Sequence, residues 1–165
     1  MKFAYADPPY YGSAKRIYGV FHEAAADWDN KQTHLDLVAR LNDEYPDGWA
    51  LCGNPADLVW LLPAAGDNVR VCAWAKTFHQ IRPRCSVQYA WEPVIVKAGR
   101  KIPLRKPMVR DWLACARAMR KGLPGAKPAA FNDWVLQLLG YEVGDQLDDL
   151  FPGTNGMAEA VAKYK

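Results

Sequence analysis

Four consecutive residues, Asp7-Pro8-Pro9-Tyr10, place a carboxylate, a rigid backbone and an aromatic face side by side. That combination suits a conjugated amine. An exocyclic amine on a nucleobase is a poor nucleophile because its lone pair is delocalised into the ring. Hydrogen bonds from the amine to Asp7 and to the carbonyl of Pro8 would favour a more nucleophilic nitrogen. The two prolines fix the backbone so that these acceptors point outward, and Tyr10 offers a stacking face for the base. A base must leave the helical stack to enter such a pocket. Taken alone, the tetrapeptide is equally compatible with an ordinary strand-ending turn.

A second segment, Gly144-Asp145-Gln146-Leu147-Asp148-Asp149-Leu150-Phe151-Pro152-Gly153-Thr154-Asn155-Gly156, has the pattern of a strand, a glycine-containing turn and a helix start. Glycine there lets a ligand approach the backbone closely. By itself this also fits a tight strand-to-helix connection. Between the two segments, Lys127-Pro128 leads into an amphipathic stretch with Phe131 and Trp134.

The elements that must position these residues follow from periodicity and punctuation. Residues 3–6 are strand-like and stop at Asp7, because two prolines cannot join a central ladder. Residues 12–30 have little periodic pattern and are expected as loop. A helix is expected over 33–41 with Thr33 as N-cap, then a turn and a strand over 49–52. A helix over 56–62 closes at Pro63. Strands follow at 69–75 and 91–96, with Lys76, His79 and Arg82 in or beside the loop between them. Helices are expected at 109–120 and 128–139, a strand at 145–151 and a short final helix. This alternation predicts an α/β fold with a mostly parallel sheet. In such sheets ligands bind outside the carboxyl ends of the strands, where Asp7 falls.

In this order the segments resemble the amino-group (N6-adenine and N4-cytosine) DNA methyltransferases of the permuted, β-type motif order. That family places Asp-Pro-Pro-Tyr early, then Lys-Pro and Asp-x-Phe-x-Gly-x-Gly late; here these are residues 7–10, 127–128 and 149–155. The likeness covers almost the whole chain and is greatest to short methylase-like proteins of actinobacteria and their phages. It implies a Rossmann-like methyltransferase fold and S-adenosylmethionine as cofactor. It also implies methylation of an exocyclic amine, with Asp at the first motif position leaning toward N6 of adenine. By the resemblance Asp7, Pro8, Pro9 and Tyr10 form the catalytic site. Lys127, Pro128, Phe131, Asp149, Phe151, Gly153, Thr154 and Asn155 form the cofactor site.

Three departures shape the expectations. Asn155 stands where the family has a second glycine, but Asn is the non-glycine residue that best tolerates a left-handed turn. The family's two further strands, the first carrying an acidic ribose clamp, have only residues 157–165 to correspond to them. A reduced sheet of about five strands is therefore expected, with the clamp missing or supplied by a second copy or a partner chain. Finally, residues 97–126 leave room for a loop and one helix in place of a target-recognition domain, so low sequence selectivity is expected.

The chain of 165 residues is expected to form one domain. Its net charge is only +3, yet Lys97, Arg100, Lys101, Arg105, Lys106, Arg110, Arg117, Arg120 and Lys121 cluster against Asp111 alone. Such a block marks either a phosphate-facing surface or a solvated face, and charge alone does not decide between them. With the resemblance, Lys76, Arg100, Lys101, Arg105, Lys106 and Arg110 become candidate nucleic-acid contacts, and DNA the expected partner. A protein that keeps the fold but binds nucleic acid without turnover is the alternative. Trp28 and Trp112 are candidates for base stacking, whereas Glu92, at a strand start, either faces the pocket or, as is expected, is a solvated strand-end carboxylate. The four scattered cysteines and three histidines have no metal-ligand spacing, so neither metal nor disulfide is expected. No apolar stretch is long enough for a bilayer and no leader is apparent, which predicts a cytoplasmic protein.

Overall fold

The computed structural model describes residues 1–78, 81, 83–97, 99–101, 103, 108–118 and 125–164. Among them, six strands form one sheet in the order β5-β3-β4-β2-β1-β6. These are β1 (Lys2–Ala6), β2 (Trp49–Cys52), β3 (Val69–Lys76), β4 (Trp91–Lys97), β5 (Trp112–Cys115) and β6 (Gln146–Asp149). β1 pairs in parallel with β2 and β6, and β3 with β5; β4 runs antiparallel to both β2 and β3. Five strands therefore share one direction and β4 alone opposes them. No helix among the described residues is long and apolar enough to cross a membrane.

Strand alternation sorts the core onto two faces. Phe3, Tyr5, Ala50, Cys52, Trp74, Val94 and Val96 pack with Phe131, Trp134, Val135 and Met157 from helices α4 (Ala129–Leu139) and α5 (Gly156–Val161). The intervening Ala4, Ala6, Trp49, Leu51 and Ile95 pack with Leu37, Val38, Leu41 and Leu61 from α2 (Lys31–Glu44) and α3 (Leu58–Ala65). The sheet is thus covered on both sides, which explains why its central strands are apolar in both phases.

Four segments differ from the sequence expectations, and the first gives the sheet a sixth strand where about five were expected. Residues 109–120 contain strand β5 rather than a helix: Leu113 and Cys115 pack on the core while Trp112 and Ala114 face outward. Tertiary pairing along β3 overrides a weak helical period. Helix α2 begins earlier, capped by Asn30, whose side chain accepts from the Gln32 amide; Thr33 lies inside the helix and donates to the Asp27 carbonyl. Helix α3 runs through Pro63 and ends at Gly66, whose φ of 78° suits glycine. Residues 12–30 are not featureless: α1 (Ala14–Tyr18) and a 3-10 helix over Glu23–Asp29 pack together. Asp29 ties them by accepting from the amides of Ala14 and Lys15.

Candidate active site

β1 lies between β2 and β6, and the chain leaves it toward β2 on one side while β6 returns on the other. That is a topological switch point, where carboxyl strand ends splay and a cleft opens. Asp7 and Asp149 stand at the ends of β1 and β6, on either side of it.

Asp7 is held in a charged cluster. The Lys127 ammonium lies 2.8 Å from Asp7 Oδ1 and 2.7 Å from Oδ2. It is also 3.4 Å from Glu92 Oε2 and 3.4 Å from the Tyr10 hydroxyl. Tyr10 donates to Glu92 Oε2 at 2.9 Å and lies 3.4 Å from Asp7 Oδ1. Glu92 Oε1 is ion-paired with Lys76. The reversed strand explains how these groups meet. Because β4 is antiparallel, its beginning, with Glu92, shares the sheet edge with the end of β3, with Lys76, and the end of β1. Lys127 arrives from the segment just before α4. The rings of Tyr10, Trp74 and Phe131 surround its ammonium, with centroids 5.7–5.8 Å away.

These surroundings divide the two carboxylates. Burial raises the pKa of Asp7, and Glu92 adds to this, against the pull of Lys127. Burial alone would also raise Glu92, but Lys127 and Lys76 outweigh it and hold it at about 2. Lys127 is pushed down by burial, yet Asp7 and Glu92 lift it well above the ordinary lysine range. Burial, with Glu92 and Asp7 adding to it, raises Tyr10, so its phenol stays protonated. Burial, with Asp7 adding to it, raises Cys52, which favours the thiol form.

A cavity of about 740 Å³ runs from Asp7 and Lys127 to the turn after β6. In that turn Asp149 Oδ1 accepts from the Phe151 amide at 3.1 Å. Gly153 has a φ of 47° and Asn155 a φ of 59°, so Asn155 takes the left-handed conformation its residue type tolerates. Burial is the main cause raising Asp149. Asn132, on α4, is 3% exposed and lines the cavity. None of the described residues hydrogen-bonds its carboxamide. A Cβ on Gly156 would lie 2.7 Å from Asn132 Nδ2, so glycine keeps this corner open. The opposite wall is aromatic, with Tyr18, Phe21, His22 and Trp28; Trp28 packs edge-on against Phe151 with ring centroids 5.0 Å apart.

Of the residues expected from sequence, Asp7, Pro9, Lys127, Asp149, Phe151, Gly153 and Thr154 line this one cavity. Tyr10 joins through its hydroxyl and Pro8 is buried beside them. Pro128 caps α4. Phe131 is fully buried among Tyr5, Trp74 and Trp134, beneath the site. Asn155 shapes the turn without lining the cavity. Lys76 reaches the site through Glu92. Arg100 pairs with Asp145 and Glu142 at the amino edge of the sheet, away from Asp7. Lys101 and Arg110 are exposed, Arg110 lying over the Trp112 ring. Arg105, Lys106, His79 and Arg82 lie outside the described residues.

Glu92 corrects an expectation: it is no solvated carboxylate but the junction of the cluster. An antiparallel β4 was the missing information, since direction decides which strand end meets the site. Asn132, Tyr18, Phe21 and His22 were not expected from the sequence, whereas Trp28, a stacking candidate, does line the cavity. An amide within the apolar face of α4 was the available signal for Asn132, and aromatic residues in a supposed loop for the others.

The sequence matches no family model and no curated protein. Solved structures that share the fold include two at low sequence identity. The M1.HpyAVI–SAM complex aligns with a TM-score of 0.65 and 16% identity, over 99% of this chain and 77% of that one. TTHA0409 from Thermus thermophilus, assigned as a DNA modification methylase, aligns with a TM-score of 0.57 and 17% identity, over the same shares.

Proposed function

We propose that this chain is an S-adenosylmethionine-dependent methyltransferase that acts on an exocyclic amine, N6 of adenine in DNA, with low sequence selectivity. The observation that carries this reading is the junction of Asp7-Pro8-Pro9-Tyr10 with a single cavity ending at the Asp149–Asn155 turn. The cavity fits the cofactor. Asn132 faces it as a buried amide lacking a partner among the described residues, and Gly156 leaves the space a side chain would fill. Asp149, Phe151, Gly153, Thr154 and Asn132 would hold the cofactor. When bound, S-adenosylmethionine supplies an electrophilic methyl group.

The chain's own residues then prepare the nucleophile. Asp7 accepts a hydrogen bond from the target amine and, with its raised pKa, is the carboxylate suited to hold the amine's proton. The Tyr10 ring offers the stacking face, its hydroxyl fixed by Glu92. Low selectivity is supported by residues 97–126, whose described part contributes β5 to the sheet, leaving little chain for a groove-reading module. Exposed Lys101 and Arg110 supply positive charge for a phosphate backbone. One observation favours a second reading, a nucleic-acid-binding protein without turnover: Lys127 occupies both oxygens of Asp7.

Calorimetric titration with S-adenosylmethionine, paired with transfer of labelled methyl to adenine-containing DNA, tests both. The enzyme reading expects binding and transfer. It expects Asp7→Ala to lower transfer on the order of 100-fold or more while binding persists. Binding of DNA without transfer to DNA, RNA or nucleotides would establish the second reading instead.

A further inference from the structure

The target amine and Lys127 compete for Asp7. Both carboxylate oxygens are within 2.8 Å of the lysine ammonium, and a carboxylate binds an incoming N–H donor best when such a cation has withdrawn. Expelling Lys127 into the cavity would leave a buried cation unpaired, at heavy cost. A second acceptor is already in place. Glu92 Oε2 stands 3.4 Å from the same ammonium, and a displacement of roughly 0.6 Å would bring the pair to the usual distance of a charge-assisted bond.

The geometry points to Glu92 as a positioning residue that receives Lys127 when the substrate amine takes Asp7. This rests on the amine-methylation reading above. Lys76 is the other half of the device: paired to Glu92 Oε1, it keeps that carboxylate ionised and fixed. Tyr10 donates to Oε2, which leaves that oxygen a second lone pair for the ammonium. The aromatic rings around Lys127 tolerate the cation at either position, since they attract it without directional bonds. Lys127 thus protects an idle Asp7 and yields it without becoming an orphan charge.

The test follows the Asp7 carboxyl carbon by NMR across pH in the full chain, with its resonance identified by Asp7→Asn. The ionisable groups facing Asp7 are Lys127 before α4, Glu92 on β4, Tyr5 on β1, Tyr10 beyond it, Tyr18 on α1, Cys52 on β2 and Asp149 on β6. Glu92→Gln keeps an acceptor for Tyr10 but surrenders Lys127 to Asp7, so the Asp7 midpoint should fall by about one pH unit. Lys76→Met shifts Lys127 toward Glu92, so the midpoint should rise. Direct charge effects have the same signs, and a Lys127→Met background separates them: there both shifts should shrink to a small remainder. Shifts of equal size with and without Lys127 would overturn the exchange.

Activity gives an independent arm. Glu92→Gln should lower kcat/KM for DNA on the order of 10-fold or more, and adding Lys127→Met should recover part of that loss. Additive losses would overturn the role of Glu92 while leaving the methyltransferase reading intact. No methyl transfer by the unmutated chain would instead remove the reaction, and with it the purpose of Glu92.

Discussion

Asn132 is a polar residue on a helix face otherwise made of Phe131, Trp134, Val135, Leu136 and Leu139. Its carboxamide opens onto the cavity while the rest of this face packs on the core. Asn132→Leu should therefore not lower the melting temperature of the ligand-free chain. The same change should weaken S-adenosylmethionine binding roughly 10- to 100-fold, the equivalent of one lost buried hydrogen bond. Thermal melts and calorimetry on one preparation check both, and loss of a structural asparagine would lower the melting temperature. At this scale the sequence was most informative where residue type and order together restrict chemistry. Asp7 and the prolines, Gly153 and Asn155 are each compatible with ordinary turns, and it was their order along the chain, resembling a family's motif order, that connected them. Glu92 and Asn132 are ordinary residues given meaning by their neighbours, and neighbours depend on strand direction and helix rotation.

At the scale of elements, the connection from β6 to α5 shows how far a departure from pattern can be absorbed. Asn155 holds a left-handed φ of 59°, and its amide donates to the Pro152 carbonyl at 2.7 Å. A β-carbon costs about 1–2 kcal/mol in that region, where asparagine is among the best tolerated of the non-glycine residues. Asn155→Ala should destabilise the chain by about 1 kcal/mol, and Asn155→Gly should not; chemical denaturation distinguishes them. Most elements were legible because their periods are strong, as in α4, closed by left-handed Gly140. The exceptions share a cause. β5 has only four residues, and its identity comes from pairing with β3 rather than from its own composition. Likewise α1 and the 3-10 helix after it are short, held by Asp29 and by contacts that periodicity does not encode.

For the whole molecule, the basic stretch from Lys97 onward is not one surface. Lys97 donates to Asn42 Oδ1 at 3.0 Å. Arg100 meets Asp145 through one nitrogen at 2.8 and 2.7 Å and Glu142 at 3.1 Å. Since the Asp145 side chain is only 5% exposed, Arg100→Ala should cost roughly 1–3 kcal/mol of stability. It should leave the salt dependence of any DNA binding unchanged, whereas Lys101→Ala with Arg110→Ala should flatten it. Melting curves and a salt series separate the two effects. Acid should act in two stages. Asp7, Asp57 and Asp149 have raised values, burial being the largest cause, so their protonation on mild acidification favours the fold. For Asp145 and Asp148 burial is outweighed by their hydrogen-bond and charge partners, and for Glu92 by Lys127 and Lys76. Their stabilisation is complete above the ordinary carboxylate range and is lost as pH falls through their lowered values. The steep loss should therefore lie between about pH 4.5 and pH 2, and Glu92→Gln should make it shallower.

The reversal of β4 has one more consequence. Lys76 ends β3 and Trp91, next to Glu92, begins β4, so residues 77–90 join two strand ends on the same rim of the molecule. The described tip of this hairpin, including Pro83, Arg84, Ser86 and Val87, is exposed. Foreign sequence spliced there is a detour between two fixed anchors, so no strand changes register and no crossover is lengthened. The guest would also emerge at the strand ends that carry Lys76 and Glu92. The hairpin is therefore a graft point that leaves the sheet and the Asp7 cluster in place.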